Sequence, residues 1–209
     1  YFRFLEDRIR HADIAVANME FTLAGEPYSG YPDFSAPDEY AKYLSKLGID
    51  VFLTANNHIF DKGAAGAKRT IGMFRELGVK MTGIAEDQKM HDEAFPLIRE
   101  CKGASIAMLN VTYGTNAGIG KEWPKIMKLS EKEAMTEALA KAGTCDFVLI
   151  LPHWGEEYIL KHSATQESYA RWFVKQGADA IIGAHPHVIQ DIQEIDGTPV
   201  FYSIGNAVS

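Results

Sequence analysis

The stretch Ala180-Ile181-Ile182-Gly183-Ala184-His185-Pro186-His187 decides how this chain is read. A short apolar run rich in β-branched residues and cut off by glycine fits a buried strand. This one ends in two imidazoles one residue apart. Three earlier runs end in the same manner: Ile14–Ala17 leads to Asn18, Met19 and Glu20; Val51–Thr54 leads to Ala55, Asn56, Asn57 and His58; Phe147–Leu151 leads to Pro152, His153 and Trp154. In open α/β sheets, ligands bind in the crevice beyond the carboxyl ends of strands. Four strand ends that each carry a carboxylate, amide or imidazole therefore predict a site built from loops along one sheet edge.

Between these runs the pattern alternates strand and helix, which predicts the α/β class. Helices are expected over 38–47, stopped by Gly48; over 65–77, stopped by Gly78; over 130–142, opened by a capping box of Ser130 and Glu133 and closed by Gly143; and over 166–176, stopped by Gly177. Extended stretches are expected at 80–82, 95–98 and 105–111, and a hairpin joins 188–194 to 200–203 around Asp196-Gly197. The segment 26–37, with its prolines and aromatics, reads either as a rim or lid or as an ordinary ordered surface loop.

A chain of 209 residues with 46% hydrophobic content can bury one sizeable core, so a single domain over 1–209 is expected. With 21 basic and 28 acidic residues and a formal charge of -7, no nucleic-acid partner is expected, because phosphate backbones recruit clustered Lys and Arg. No apolar run reaches the roughly 20 residues of a membrane helix. Cys101 and Cys145 have no metal-knuckle or redox spacing, and a disulfide between them is left open. Asn110-Val111-Thr112 fits a glycosylation pattern that has meaning only in a eukaryotic secretory setting.

The donor types suggest the chemistry. Imidazole suits zinc, iron and related borderline ions, and carboxylate and amide oxygens suit manganese and magnesium, so a mixed set suits a pair of divalent ions (Mn, Zn, Fe or Mg). Two such ions about 3.5 to 4 Å apart acidify a bridging water and neutralise charge on a phosphoryl group. Glu20 is the candidate carboxylate between them, and His58 suits protonation of a leaving alkoxide. Asp61 is expected to orient His58. Trp154, Glu157 and Tyr158 are candidates to line the substrate cleft, Asn206 to face it, and His11, His91 and His162 read as surface or structural residues.

The stretches 12–20, 48–63 with Asn56-Asn57-His58-Ile59-Phe60-Asp61, 153–158, 183–190 and 202–206 together resemble, in order, the signature segments of the CapA or poly-γ-glutamate synthesis family, within the calcineurin-like metallophosphoesterase superfamily. The resemblance implies a four-layered α/β/β/α sandwich. It implies that Asn57, His153 and His185 ligate one metal, His187 the other, that Glu20 bridges, and that His58 is the general acid. It also implies a bacterial cell-surface or membrane-associated setting, an anionic polymer or phosphoester substrate, and membrane-bound capsule synthesis and export proteins as partners. The corresponding reaction is hydrolysis by a metal-bound hydroxide; a noncatalytic polymer-binding or assembly role and an amidase acting on a polyglutamate-like chain are the alternatives.

One departure stands out. The family opens on a strand ending in Gly-Asp, whose Asp binds the first metal, and nothing ahead of Glu20 supplies it; Asp13 lies within or before the first strand. The helical sequence from Phe2 to Arg10 is read as a chain cut at its opening strand and at its C-terminus. The other reading is a single metal held by Asn57, His153 and His185 with Glu20.

Overall fold

The computed structural model describes residues 2–118, 120 and 122–208. The fold is mixed α/β, and it gathers into two compact units, Tyr1–Ala94 with Gly114–Ile126, and Phe95–Tyr113 with Met127–Ser209.

The first unit opens with a 3-10 turn (Phe2–Phe4) and helix α1 (Glu6–His11), then alternates β1 (Val16–Asn18), α2 (Asp38–Leu47), β2 (Val51–Leu53), α3 (Gly63–Glu76) and β3 (Lys80–Thr82). The three strands form one parallel sheet in the order β1-β2-β3. Central β2 is buried on both faces, as its unbroken apolar run requires. Helix α2 matches its expected bounds. It buries Ala41, Leu44 and Leu47 and ends at Gly48, whose left-handed φ of 115° lets its N–H reach the carbonyls of Leu44 and Ser45. A minor sheet pairs β4 (Ile84–Ala85) with β7 (Lys125–Ile126), and α4 spans Gln88–Ala94. Ile84 and Ile126 from that pair pack with Ile59, Phe60, Ala67 and Ile71 in a buried cluster.

The second unit holds β5 (Leu97–Cys101), β6 (Ala104–Thr112), α5 (Lys132–Ala142), β8 (Phe147–His153), α6 (Ala164–Lys175), β9 (Ala180–Ile182), β10 (Ile192–Ile195) and β11 (Thr198–Phe201). Its six-stranded sheet runs β10-β11-β9-β8-β6-β5, parallel at its centre and antiparallel at both edges. Carboxylates brace the starts of the parallel strands: Asp179 accepts from the Val148 N–H at 2.7 Å, and Asp146 accepts from the Ser105 N–H at 2.8 Å. Cys101 and Cys145 are free thiols. Asn110 is buried, and its side chain donates to the Leu151 carbonyl at 2.7 Å, so the glycosylation pattern falls on a core residue.

Several boundaries differ from expectation. β1 begins at Val16 rather than residue 14, and α3 begins at Gly63. The expected capping box at Ser130 and Glu133 does not form. Glu131 is the N-cap, and its carboxylate instead accepts the Lys128 N–H at 2.9 Å, closing a local turn that displaces the helix start to Lys132. The box that does form belongs to α6, where the Ser163 hydroxyl accepts the Gln166 N–H and the Gln166 amide oxygen accepts the Ser163 N–H. That helix therefore starts two residues before its expected position. The loop 26–37 is ordered by bridges from Ser35 to Thr22 and Ser29. No helix among the described residues is long and apolar enough to cross a membrane.

Candidate metal centre

In each unit the chemistry-bearing residues follow the carboxyl ends of parallel strands. In the first unit, β1 runs into Asn18 and Glu20, and the Asn18 amide donates to Glu20 Oε2 at 3.2 Å. β2 runs into a wholly buried stretch through Asn56, Asn57 and His58. The Asn56 amide donates to the Met19 carbonyl at 2.9 Å, and its oxygen accepts the His58 N–H at 3.1 Å, so one side chain ties the two strand ends together.

The His58 ring is fixed from three sides. Its Nδ1 lies 2.7 Å from Asp61 Oδ2, its Nε2 lies 3.5 Å from the Asn116 amide nitrogen, and the Phe34 ring meets it edge-on at 4.6 Å. Asp61 Oδ2 also accepts the Phe34 N–H at 2.8 Å, so one carboxylate orders both the imidazole and the aromatic beside it. A carboxylate on Nδ1 selects the tautomer and leaves Nε2 as the working nitrogen. Asn116 is a participant that sequence reading missed. Its N–H donates to the Asn57 carbonyl at 2.8 Å, from a loop with no periodic signal to announce it.

In the second unit, β8 ends at His153 and β9 leads to His185 and His187. The His153 and His185 rings lie 4.7 Å apart and those of His185 and His187 6.0 Å apart. Tyr113, just past β6, packs on both His153 and His185, at 6.3 and 4.8 Å. It too went unread, although it follows a strand by the same rule that found the histidines. His187 Nδ1 lies 2.9 Å from Asn206 Oδ1, so Asn206 acts on the histidine by orienting it. Trp154 is 1% exposed and donates from Nε1 to the Tyr202 carbonyl at 2.9 Å; its indole is a wall behind the loop rather than a surface offered to substrate. Tyr158 is 68% exposed.

The backbone of this second edge is unusual. His185 (φ 101°), His187 (φ 58°) and Tyr158 (φ 63°) all occupy the left-handed region. Such residues cost about 1–3 kcal/mol each and persist only where the surroundings over-determine them. Gly183 shows how tight those surroundings are: a Cβ there would overlap the Tyr202 carbonyl and the Trp154 Nε1.

The donors suit divalent cations. His185, His187 and Glu157 each offer one ligand atom, and these atoms lie within 4.8 Å of one another. Two imidazoles with a carboxylate form a set that zinc, manganese and iron accept.

Comparison with known proteins identifies the family and the fold. The family model for the bacterial capsule synthesis protein PGA_cap matches residues 1–209. The capsule biosynthesis protein CapA of Bacillus anthracis is 33% identical over 99% of this chain and 53% of its own length. The PGA biosynthesis protein CapA of Bacillus subtilis (strain 168) is 28% identical over 99% of this chain and 56% of its own length. The chain thus spans about half the length of these relatives. Among solved structures, a putative 5'-nucleotidase from Staphylococcus aureus superposes with a TM-score of 0.63 at 16% identity, over 92% of this chain and 39% of its own. A 5'-nucleotidase precursor from Thermus thermophilus gives a TM-score of 0.56 at 14% identity, over 96% of this chain and 41% of its own. These likenesses show a metallophosphoesterase-like fold. The chain belongs to the PGA_cap family of bacterial capsule synthesis proteins.

Proposed function

We propose that this chain is a metal-dependent hydrolase domain of phosphoesterase type, working in the synthesis or export of an anionic capsule polymer at a bacterial cell surface. The observation that carries the reading is His58 held by Asp61 at 2.7 Å beside Asn57, in a chain whose fold is metallophosphoesterase-like. Glu20 and Asn57 in the first unit are proposed ligands of divalent cations, and so are His153, His185 and His187 in the second. Bound there, such cations polarise a phosphoryl oxygen and lower the pKa of an attacking water.

The protein's own residues supply the rest. With Nδ1 committed to Asp61, His58 presents Nε2 and delivers a proton from it to the departing alkoxide. Phe34 and Asn116 keep the ring from swinging away. The exposed Tyr158 ring is a contact surface for substrate. A chain of formal charge -7 does not itself attract a polyanion, so the bound cations supply the attraction for an anionic substrate.

The test is hydrolysis of a phosphodiester, a phosphomonoester and poly-γ-glutamate under Mn, Zn and Mg in turn. Cation-dependent phosphoester cleavage is expected. Cleavage of polyglutamate alone would assign an amidase instead, and tight cation binding without turnover on any of the three would assign a noncatalytic polymer-binding role.

A further inference from the structure

We infer that Glu157 is a further metal ligand, standing with His185 and His187 in a donor set that lies wholly within the second unit. The inference rests on the metal-binding part of the proposed function and is independent of hydrolysis. Three ligand atoms lie within 4.8 Å of one another, against roughly 3.4 Å between donors that share a tetrahedral cation with bonds of about 2.0–2.2 Å, so side-chain rotations of about an ångström bring them to coordination distance.

The backbone holds Glu157 to this position. The next residue, Tyr158, donates its N–H to the Pro186 carbonyl at 2.8 Å, tying the loop after β8 to the turn that carries both histidines. At the far end of the same loop, the amide of Gln190 donates to the Ile159 carbonyl at 2.8 Å and the His162 ring meets Asp191 at 2.8 Å. Asn206 Oδ1 lies 2.9 Å from Nδ1 of His187, which assigns Nε2 as the nitrogen to meet a cation.

Conformational strain points the same way. Five non-glycine residues among those described have positive φ, and two of them, Lys102 and Asp196, stand before glycine in tight hairpin turns where that conformation is ordinary. The other three are Tyr158, His185 and His187. Strain confined to the residues around one donor set is a cost the fold sustains where a ligand needs those atoms together. Glu156, the neighbouring exposed carboxylate, does not join the set.

The site takes a borderline divalent cation such as zinc, cobalt or manganese. Cobalt(II) alone, titrated into metal-stripped protein and followed by its visible absorption and by equilibrium dialysis, tests the assignment without any substrate. Glu157→Gln is expected to weaken cobalt binding at least about tenfold and to change the absorption bands, while Glu156→Gln leaves both unaltered. Unchanged cobalt affinity and bands in Glu157→Gln overturn the inference, as does an equal loss in Glu156→Gln, which would make the effect one of overall charge. His187→Ala separates the two levels: if it too binds cobalt as the wild type does, the metal reading itself has failed and not only the place of Glu157 in it.

Discussion

The two units arrange the same kind of strand end by different means. In the first, side chains hold side chains: Asp61, Asn116 and Phe34 converge on His58, and Asn56 ties one strand end to the next. In the second, backbone does more of the holding: His185 and His187 are delivered in left-handed conformations on a turn braced by Gly183, Trp154 and Tyr202, with Asn206 as the side-chain partner of His187. A ring positioned by hydrogen bonds keeps a defined tautomer and can move a proton. A ring positioned by a strained backbone keeps its place when a cation draws on it. On the proposed reading, proton transfer falls to His58 at the first edge, and the imidazole ligands come from the second.

That contrast breaks most visibly at the second edge. His185→Ala or His187→Ala should remove bound cation and all cation-dependent turnover together, read as metal equivalents per folded chain. At the first edge, His58→Gln should lower turnover by about 10²–10⁴-fold with metal content unchanged. Loss of metal in that variant would move His58 among the ligands and erase the division of labour.

Backbone support gives the next largest effect. Gly183→Ala places a methyl group against the Tyr202 carbonyl and the Trp154 indole and should destabilise the fold by about 1–3 kcal/mol in urea unfolding, with cation affinity falling in parallel.

The smallest effect concerns the loop that carries Glu157, whose end is fastened by Asp191. Burial pushes the Asp191 carboxyl up, but hydrogen bonds from the His162 N–H and ring outweigh it, and the net shift is downward. Its stabilisation is therefore present above the ordinary carboxylate pKa of about 4 and is lost as pH falls through the lower folded value. The carboxylate is half exposed, so the contribution is small. Thermal melts of Asp191→Asn from pH 6 to 3 should show a flatter acid limb than the wild type.

Much of this was legible in the chain, for reasons particular residues make clear. Glycine after an apolar run marked the ends of α2 and β9, because Gly48 needs φ 115° and Gly183 admits no side chain. The rule that ligands gather past strand ends led to His58, His153, His185 and His187, which are carried at or just past the ends of β2, β8 and β9. What stayed hidden was non-local or too short to have a period. β4 and β7 are two residues each and pair across some forty positions of chain. Asn116 reaches His58 from 58 residues away. The false capping box at Ser130 had the right spacing, but Glu131 had a closer backbone partner. Glu157 read as a cleft residue because nothing in its sequence shows that its loop is tied to Pro186.

The central claim is that cations held by these strand ends serve hydrolysis. Release of p-nitrophenol from bis(p-nitrophenyl) phosphate, followed on protein of known manganese content and again after chelation, tests it most directly. The account predicts turnover that tracks bound manganese and disappears in His58→Gln while the manganese stays. Turnover indifferent to chelation, or full manganese occupancy with no release at all, would contradict it.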